Sequence, residues 1–425
     1  MIEKQPSCDD VVEPELLPVD EAKRRLFDAL KVVRETQTVA LAQALNRVLA
    51  DDVVSPMDVP AEANSAMDGY ALHRECIPAN GEARLKVRGS AFAGKPFTDT
   101  LQTGEAVRIF TGAIMPAGTD TVVIQEHVRV SDEWVDIDSD VVAGKNVRQA
   151  GEDVAKSQTV LRKGRRLTAA DIGVLASLGI ASVTVNRLLK VAFFTTGDEL
   201  QSLDEHVAGS VLPDGMLFDS NRYTIAALLA GLGVEAIDLG VVRDDIDATR
   251  EALELAAAQA DVVITSGGVS AGEADFVTRA FHDLGTVSFW KLAMRPGRPL
   301  AFGHVKDAAF FGLPGNPVAV VVTFLQFVQP ALKFISGMND LEPLQIPAIC
   351  LSKLRKSPGR IEYQRGVMRL DEQGRLVVES TGKQGAGRLS SVSAANCLIV
   401  IDAEVDGIES GDLVSVQPFQ GLFPG

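Results

Sequence analysis

The rhythm of apolar positions changes three times along this chain of 425 residues. In residues 19–50, "VDEAKRRLFDALKVVRETQTVALAQALNRVLA", they recur at helical spacing. This predicts two amphipathic helices, with Asp20 as a cap and Leu26, Ala29, Leu30 and Val33 on one face. The next stretch, "VSPMDVPAEANSAMDGYALHREC", has neither helical nor strand period and reads as a loop. Between Arg84 and Asp138, "ARLKVRGS", "AVRIF", "DTVVIQEHVRV" and "EWVDI" alternate over short spans broken by Gly and Asp, which predicts a compact β-rich unit. "LTAADIGVLASLGIASVTV" then predicts a helix capped by Thr168, ended by Gly179 and followed by a strand.

From residue 190 to 337 near-continuous apolar runs alternate with helical ones. "LKVAFFTTGDEL", "VEAIDLGVVRDD", "ADVVITSGG" and "AFFGLPGNP" read as strands; "DSNRYTIAALLAGLG", "IDATREALELAAAQA", "EADFVTRAFHDLG" and "PVAVVVTFLQFV" read as helices. Strands apolar on both faces, joined through helices, predict a mostly parallel sheet covered on each side. Beyond Leu341, "QIPAICLSKL", "EYQRGVMRL", "RLVVES", "NCLIVIDAEV" and "DLVSVQPF" predict a second all-β module.

The expected fold class is therefore multidomain α/β plus β. A helical, partly extended N-terminal domain is assembled from 14–52 and 154–189, with a β-rich domain inserted at 53–153. A central doubly wound, mostly parallel α/β domain follows at 190–337, and a barrel-like β domain at 338–425.

Composition narrows the function. The formal net charge is -16 and the pI near 4.9, which argues against general affinity for nucleic acid or an anionic membrane; a polyanionic substrate needs a local exception. Four cysteines (Cys8, Cys76, Cys350, Cys397) and five histidines lack ligand spacing, so zinc and thiol chemistry are not suggested. "PVAVVVTFLQFV" is too short to span a bilayer and contains Gln326, and the opening residues lack a secretion pattern, so a cytoplasmic protein is expected.

Polar clusters terminate the central strands, where ligands bind in open α/β sheets. They comprise Asp198 and Glu199; Asp244 and Asp245; Ser266, Gly267, Gly268 and Asp275; Arg295 and Arg298; and Asn316. The glycines allow backbone N–H groups to approach an anion, and Pro317 suits the first turn of a helix whose free N–H groups attract one. Lys291, Arg295 and Arg298 supply counter-charge, while Glu199, Asp244 and Asp275 suit a bridging hard cation, Mg2+. The plainer reading of a loop carboxylate is a cap or a solvated charge, and it holds for Asp198, Asp214 and Asp245 taken singly. "GLGVEA" imitates a dinucleotide fingerprint but closes a helix before a strand, the reverse of the required order.

Seven blocks carry a resemblance: "NSAMDGYA", "FTGAIMPAGTDTVV", "RQAGEDV", "TTGDEL", "TSGGVSAGEADFV", "WKLAMRPGRPLAFG" and "FGLPGNPVAV". In this order they resemble the molybdopterin molybdenumtransferase (MoeA) family, related to the E domain of gephyrin. The resemblance implies insertion of molybdate into the dithiolene of adenylylated molybdopterin with release of AMP, assisted by Mg2+. It further implies a homodimer whose active site lies between subunits, with a molybdopterin adenylyltransferase as upstream partner and an α/β domain of the molybdopterin-binding type.

On that basis Asp68, Thr111, Arg148 and Asp153 face one side of the cleft, with Glu199, Asp244, Asp275, Lys291 and Arg295 on the other. Ser266, Gly267, Gly268, Pro314, Gly315, Asn316 and Pro317 shape the anion loops, and Ser390 or Ser391 of "GRLSSVSAANCLIVI" approaches the pterin. Three departures stand out: Ala271 where relatives carry a bulkier apolar residue, Arg298 where Lys is common, and Ala319 where Ser often follows "PGNPV". Two rival readings are an adenylyltransferase-like phosphotransfer enzyme and a non-enzymatic molybdate-binding or scaffold protein.

Overall fold

The computed structural model describes residues 16–206, 209–268, 280–281 and 284–419. The described chain opens with α1 (Val19–Ala29), whose Val19, Ala22 and Leu26 are buried at helical spacing while Glu21 pairs with Arg24 and Arg25 on the wet side. Pro18 occupies the cap position and Asp20 sits in the first turn, so the expected Asp20 cap is corrected. The second expected helix is absent. Thr36–Ala40 is extended and only Leu41–Gln43 makes a single turn, as suits the β-branched Thr36, Thr38 and Val39.

The chain divides into two compact units. Thr38–Leu45 and Leu49–Val185 form the smaller; Asn46–Val48, with the chain before Thr38 and after Val185, forms the larger.

In the smaller unit the ribbon β1 (Asn64–Ser65) precedes five of the strands of a six-stranded sheet: β2 (Gly69–Leu72), β3 (Glu82–Ala91), β4 (Glu105–Ile109), β5 (Thr121–Ile124) and β6 (Arg129–Ser131). The sixth is β7 (Trp134–Asp138), and the sheet order is β5-β2-β4-β3-β7-β6. Both faces are covered at β2, where Tyr70 and Leu72 enter one apolar cluster and Ala71 the other. The two-residue strand β8 (Val147–Arg148) pairs with β1, setting Arg148 opposite Asn64. The helix α2 (Ala169–Ser177) starts as its sequence predicts: Thr168 and Asp171 close a capping box, and Gly179 follows at φ 71°.

The larger unit contains β9 (Lys190–Thr196), α3 (Ser220–Leu232), β10 (Glu235–Val242), α4 (Ile246–Gln259) and β11 (Val262–Ser266). There follow β12 (Gly285–Lys291), β13 (Met294–Arg295), β14 (Pro299–Val305) and β15 (Ala308–Leu313). Its sheet order is β10-β9-β11-β15-β14-β12. The first four strands are parallel, as the alternating pattern predicts, but β14 and β12 extend the sheet antiparallel, a hairpin-like addition the pattern did not reveal. Val191, Phe193, Ile264 and Phe311 enter the core on one face; Ala192, Phe194, Val263 and Phe310 enter the core on the other.

The helical run after β15 comprises α5 (Pro317–Thr323), a π-helical stretch (Phe324–Val328) and α6 (Gln329–Ile335). By length and composition it is apolar enough to cross a membrane, yet it is 83% buried inside the fold and serves as a core helix. The C-terminal module is a barrel of β16 (Ile346–Cys350), β17 (Ile361–Leu370), β18 (Leu376–Ser380), β19 (Cys397–Ile401) and β20 (Leu413–Pro418). A short helix α7 (Leu389–Ser393) lies between β18 and β19. The ring runs β17-β18-β16-β20-β19 and closes from β19 back to β17, and closure removes the exposed edges of an open sheet. Outside the ring β13 adds to β17 in parallel, with Arg295 opposite Glu362.

Candidate active site

In the smaller unit the loop between β1 and β2 carries Asp68. The backbone N–H and the Oγ1 hydroxyl of Thr111 both donate to Asp68 Oδ1, at 2.8 and 2.7 Å. The backbone N–H and then the hydroxyl of Thr111 hold this carboxyl below its usual range, so Asp68 keeps its charge at lower pH than an ordinary aspartate. The following glycine has a steric cause. A Cβ on Gly69 would lie 2.0 Å from the carbonyl oxygen of Val123, so no other residue fits beneath that strand. Arg148 and Asp153 are exposed, and the Asp153 N–H donates to Val59 O at 3.0 Å. The structure thus joins Asp68 to Thr111, and places Arg148 beside Asn64, whose buried Oδ1 has no partner.

In the larger unit the polar loops converge at the carboxyl ends of β9, β10, β11 and β15. Asn221, in the first turn of α3, ties two of them: its Nδ2 donates to Ser266 Oγ at 3.0 Å and to Gly315 O at 2.7 Å. The Ser266 hydroxyl donates in turn to Pro314 O at 3.1 Å. Gly267 and Gly268 both adopt positive φ, and a Cβ on Gly267 would lie 2.3 Å from Thr196 O. Thr196, Asp244, Gly267 and Gly268 line one small cleft. Glu199 and Asp244 are exposed; the Asp244 N–H is received by Asp198 Oδ1 at 3.3 Å, and Asp245 caps α4. Asp275 lies outside the described residues. Among the described residues no three acidic, His or Cys side chains converge as a metal cage. The turn before α5 offers an anion less than its sequence promises: Pro317 has no N–H, and that of Val318 donates to Ala386 O at 3.1 Å.

A cavity of 360 Å3 opens on the barrel. It is lined on its charged side by Arg295, Lys353, Arg355, Glu362 and Arg365. Arg365 is only 1% exposed. Its Nε donates to Ser391 Oγ at 3.1 Å and its Nη2 to Gly385 O at 3.3 Å, while the Ser391 hydroxyl donates to Arg388 O at 2.6 Å. Burial, and then the neighbouring Arg295, lower the Arg365 guanidinium to about 10, so it remains a cation at neutral pH. Glu362 is buried, receives Gln364 Nε2 at 2.9 Å and faces Arg295 at 3.7 Å. A buried cation held by neutral groups, with a second guanidinium near, is poised for an oxyanion.

Comparisons with known proteins then converge. Residues 17–179 match the "MoeA N-terminal region (domain I and II)", 192–333 the "Probable molybdopterin binding domain" and 347–419 the "MoeA C-terminal region (domain IV)". A molybdopterin molybdenumtransferase from Haemophilus influenzae is 41% identical, covering 96% of this chain and 100% of the relative. The chain belongs to the molybdopterin molybdenumtransferase family. A Nostoc transferase is 37% identical over 92% of this chain and 90% of its own. The crystal structure of a molybdopterin biosynthesis MoeA protein from Pyrococcus horikoshii OT3 superposes with a TM-score of 0.83 at 30% identity, covering 95% of this chain and 100% of that one.

Three residues of this transferase fold escaped the sequence reading: Arg365, Asn221 and Asn64. Arg365 had a signal, since "EYQR" puts two charges into a strand whose neighbours are apolar. Asn221 looked like an ordinary position after a helix cap.

The loop that presents Arg295 rests on one glycine. Gly297 has φ 96°, and a Cβ there would lie 2.4 Å from Thr323 Oγ1 in the core helix. Gly297→Ala is expected to lower the melting temperature and to cut kcat/KM of the transferase more than about 10-fold, since a 1 Å misplacement at a site costs more than that. Adding Thr323→Ala, which removes the clashing and otherwise unpartnered hydroxyl, should restore part of both.

Proposed function

We propose that the chain inserts molybdate into the dithiolene of adenylylated molybdopterin and releases AMP. It is a transferase of molybdenum cofactor biosynthesis, as its full-length relatives are. The observation that carries the mechanism is the buried Arg365 guanidinium at the wall of a cavity shared with Arg295. Exchanging an oxide for two sulfurs sends two thiol protons out with that oxide as water. Arg365 and Arg295 gather the oxyanion, Ser391 orients Arg365 through its Oγ, and the gain comes from positioning and fixed charge. Asp68, held ionised by Thr111, takes a thiol proton and passes it to the departing oxide, or orients the water whose addition at phosphorus breaks the P–O–P bond and releases AMP.

Glu199 and Asp244 offer hard oxygen donors at the sheet end, which fits Mg2+, an ion that keeps several waters and needs few protein ligands. When bound there it neutralises phosphate charge. The site is completed in a homodimer, with Asp68, Thr111, Arg148 and Asp153 from one copy and Glu199, Asp244, Lys291 and Arg295 from the other. Action in the cytoplasm on the product of a molybdopterin adenylyltransferase completes the reading.

The test supplies adenylylated molybdopterin and molybdate, and measures AMP together with active cofactor. Coupled appearance of both, lost on chelation and restored by Mg2+, is expected. AMP without inserted metal overturns the reading; full activity in excess chelator removes the cation from it.

A further inference from the structure

The cavity beside Arg365 has a second, outer set of charges. Lys353 and Arg355 line its mouth on the segment between β16 and β17, and both are exposed. That segment alternates strictly. Leu354 is 5% and Lys356 7% exposed, and each is pinned. The Leu354 N–H donates to Ile408 O at 2.8 Å, and the Leu354 carbonyl accepts from the Ile408 N–H in return at 2.9 Å. The Lys356 ammonium donates to the carbonyls of Ser357, Ala403 and Val405 at 3.2, 3.0 and 2.8 Å. Two buried anchors therefore hold the residues between and before them on the cavity side. Lys353 pairs with Glu409 at 2.5 Å, but both side chains are about two-thirds exposed, so solvent weakens that pair. Arg355 has no ion-pair partner among the described residues.

These charges face a problem set by the whole chain. A dianionic oxyanion approaches a protein of net charge -16. Its long-range field repels the anion unless a local cationic patch focuses the potential. Among the described residues the cavity lining has four cationic side chains, Arg295, Lys353, Arg355 and Arg365, and the one carboxylate Glu362, while Glu409 pairs with Lys353 from outside the lining. Arg365 is buried at the cavity wall, whereas Lys353 and Arg355 are exposed. We propose that Lys353 and Arg355 are a capture rim, which steers molybdate from solvent to the mouth from which Arg295 and Arg365 take it. This rests on the functional reading above and adds residues that set the rate of substrate capture, distinct from those that hold the bound anion.

The test compares the full-length chain with its Lys353→Gln/Arg355→Gln variant at saturating adenylylated molybdopterin. At about 10 mM ionic strength, where charges act over roughly 30 Å, kcat/KM for molybdate should fall about 10-fold while kcat at saturating molybdate holds. Near 1 M salt, where the reach is about 3 Å, the two proteins should converge. Lys190→Gln/Lys306→Gln, an equal change of net charge at exposed positions outside the cavity lining, should leave kcat/KM within about 2-fold of the parent, because steering acts through the local field. Equal kcat/KM for rim variant and parent at low salt, or a loss independent of salt, overturns the proposal.

Stopped-flow association of inorganic molybdate with the same proteins separates the two readings. A slower, salt-dependent association rate in the rim variant, in a chain that inserts no metal, upholds the rim and sinks the transferase mechanism. Normal insertion with no rim effect does the reverse.

Discussion

Arg365→Met should lose molybdate turnover by about 100- to 1,000-fold, the usual cost of removing a fixed charge donor from a water-excluded site, and should not lower the melting temperature. The two halves of this result have one cause. Arg365 is 1% exposed and, among the described residues, has no carboxylate bonded to it; its side-chain partners are the Ser391 hydroxyl and the Gly385 carbonyl. Burial already depresses its guanidinium to about 10, a sign that the fold bears a cost for keeping the charge there. A volume-conserving apolar side chain relieves that cost, as replacing buried charges often does. Ser391 keeps its own bond to Arg388 O in the variant, so little polar burial is left unmade. The measurements are steady-state kinetics with varied molybdate and thermal unfolding of the apoprotein. A variant that unfolds early would make Arg365 a structural residue; one that keeps its kcat/KM would remove it from the oxyanion site.

Mixing two inactive proteins should restore activity. Asp68→Ala is expected to abolish insertion with folding intact, because the side chain is on a loop and, among the described residues, bonds to Thr111 alone. If Asp68 of one copy serves Arg365 of the other, re-associated dimers of Asp68→Ala and Arg365→Met contain one intact site in each heterodimer. Random pairing then yields about a quarter of the parent activity. A site built within one chain gives none. A milder variant, Thr111→Val, removes the hydroxyl that donates at 2.7 Å and should move the Asp68 titration upward, because one of the bonds holding the carboxylate ionised is gone. That shift is read by NMR titration of the carboxyl. An unmoved Asp68 titration would show that the backbone N–H suffices.

Among the described residues, sequence alone carried the alternation of strand and helix from residue 190 to 337, the β-rich segment before it and the β module after it, because burial on one or both faces imposes a period that survives in the residues themselves; the expected helix "EADFVTRAFHDLG" lies mostly outside them. It also carried the Thr168 cap and the polar strand ends, since local hydrogen bonding selects those residue types directly. The tertiary structure decided what depends on partners distant in the chain. Thr36–Ala40 is extended where its apolar spacing predicted helix, and β12 and β14 run antiparallel beside a parallel sheet. Asn221 joins loops that are 45 and 94 residues away. The Arg365 cavity exists only because the barrel closes from β19 to β17 and β13 docks along it. No periodicity records such an event: the cost of burying Arg365 is only partly offset, by a hydroxyl and a carbonyl that folding alone brings within reach.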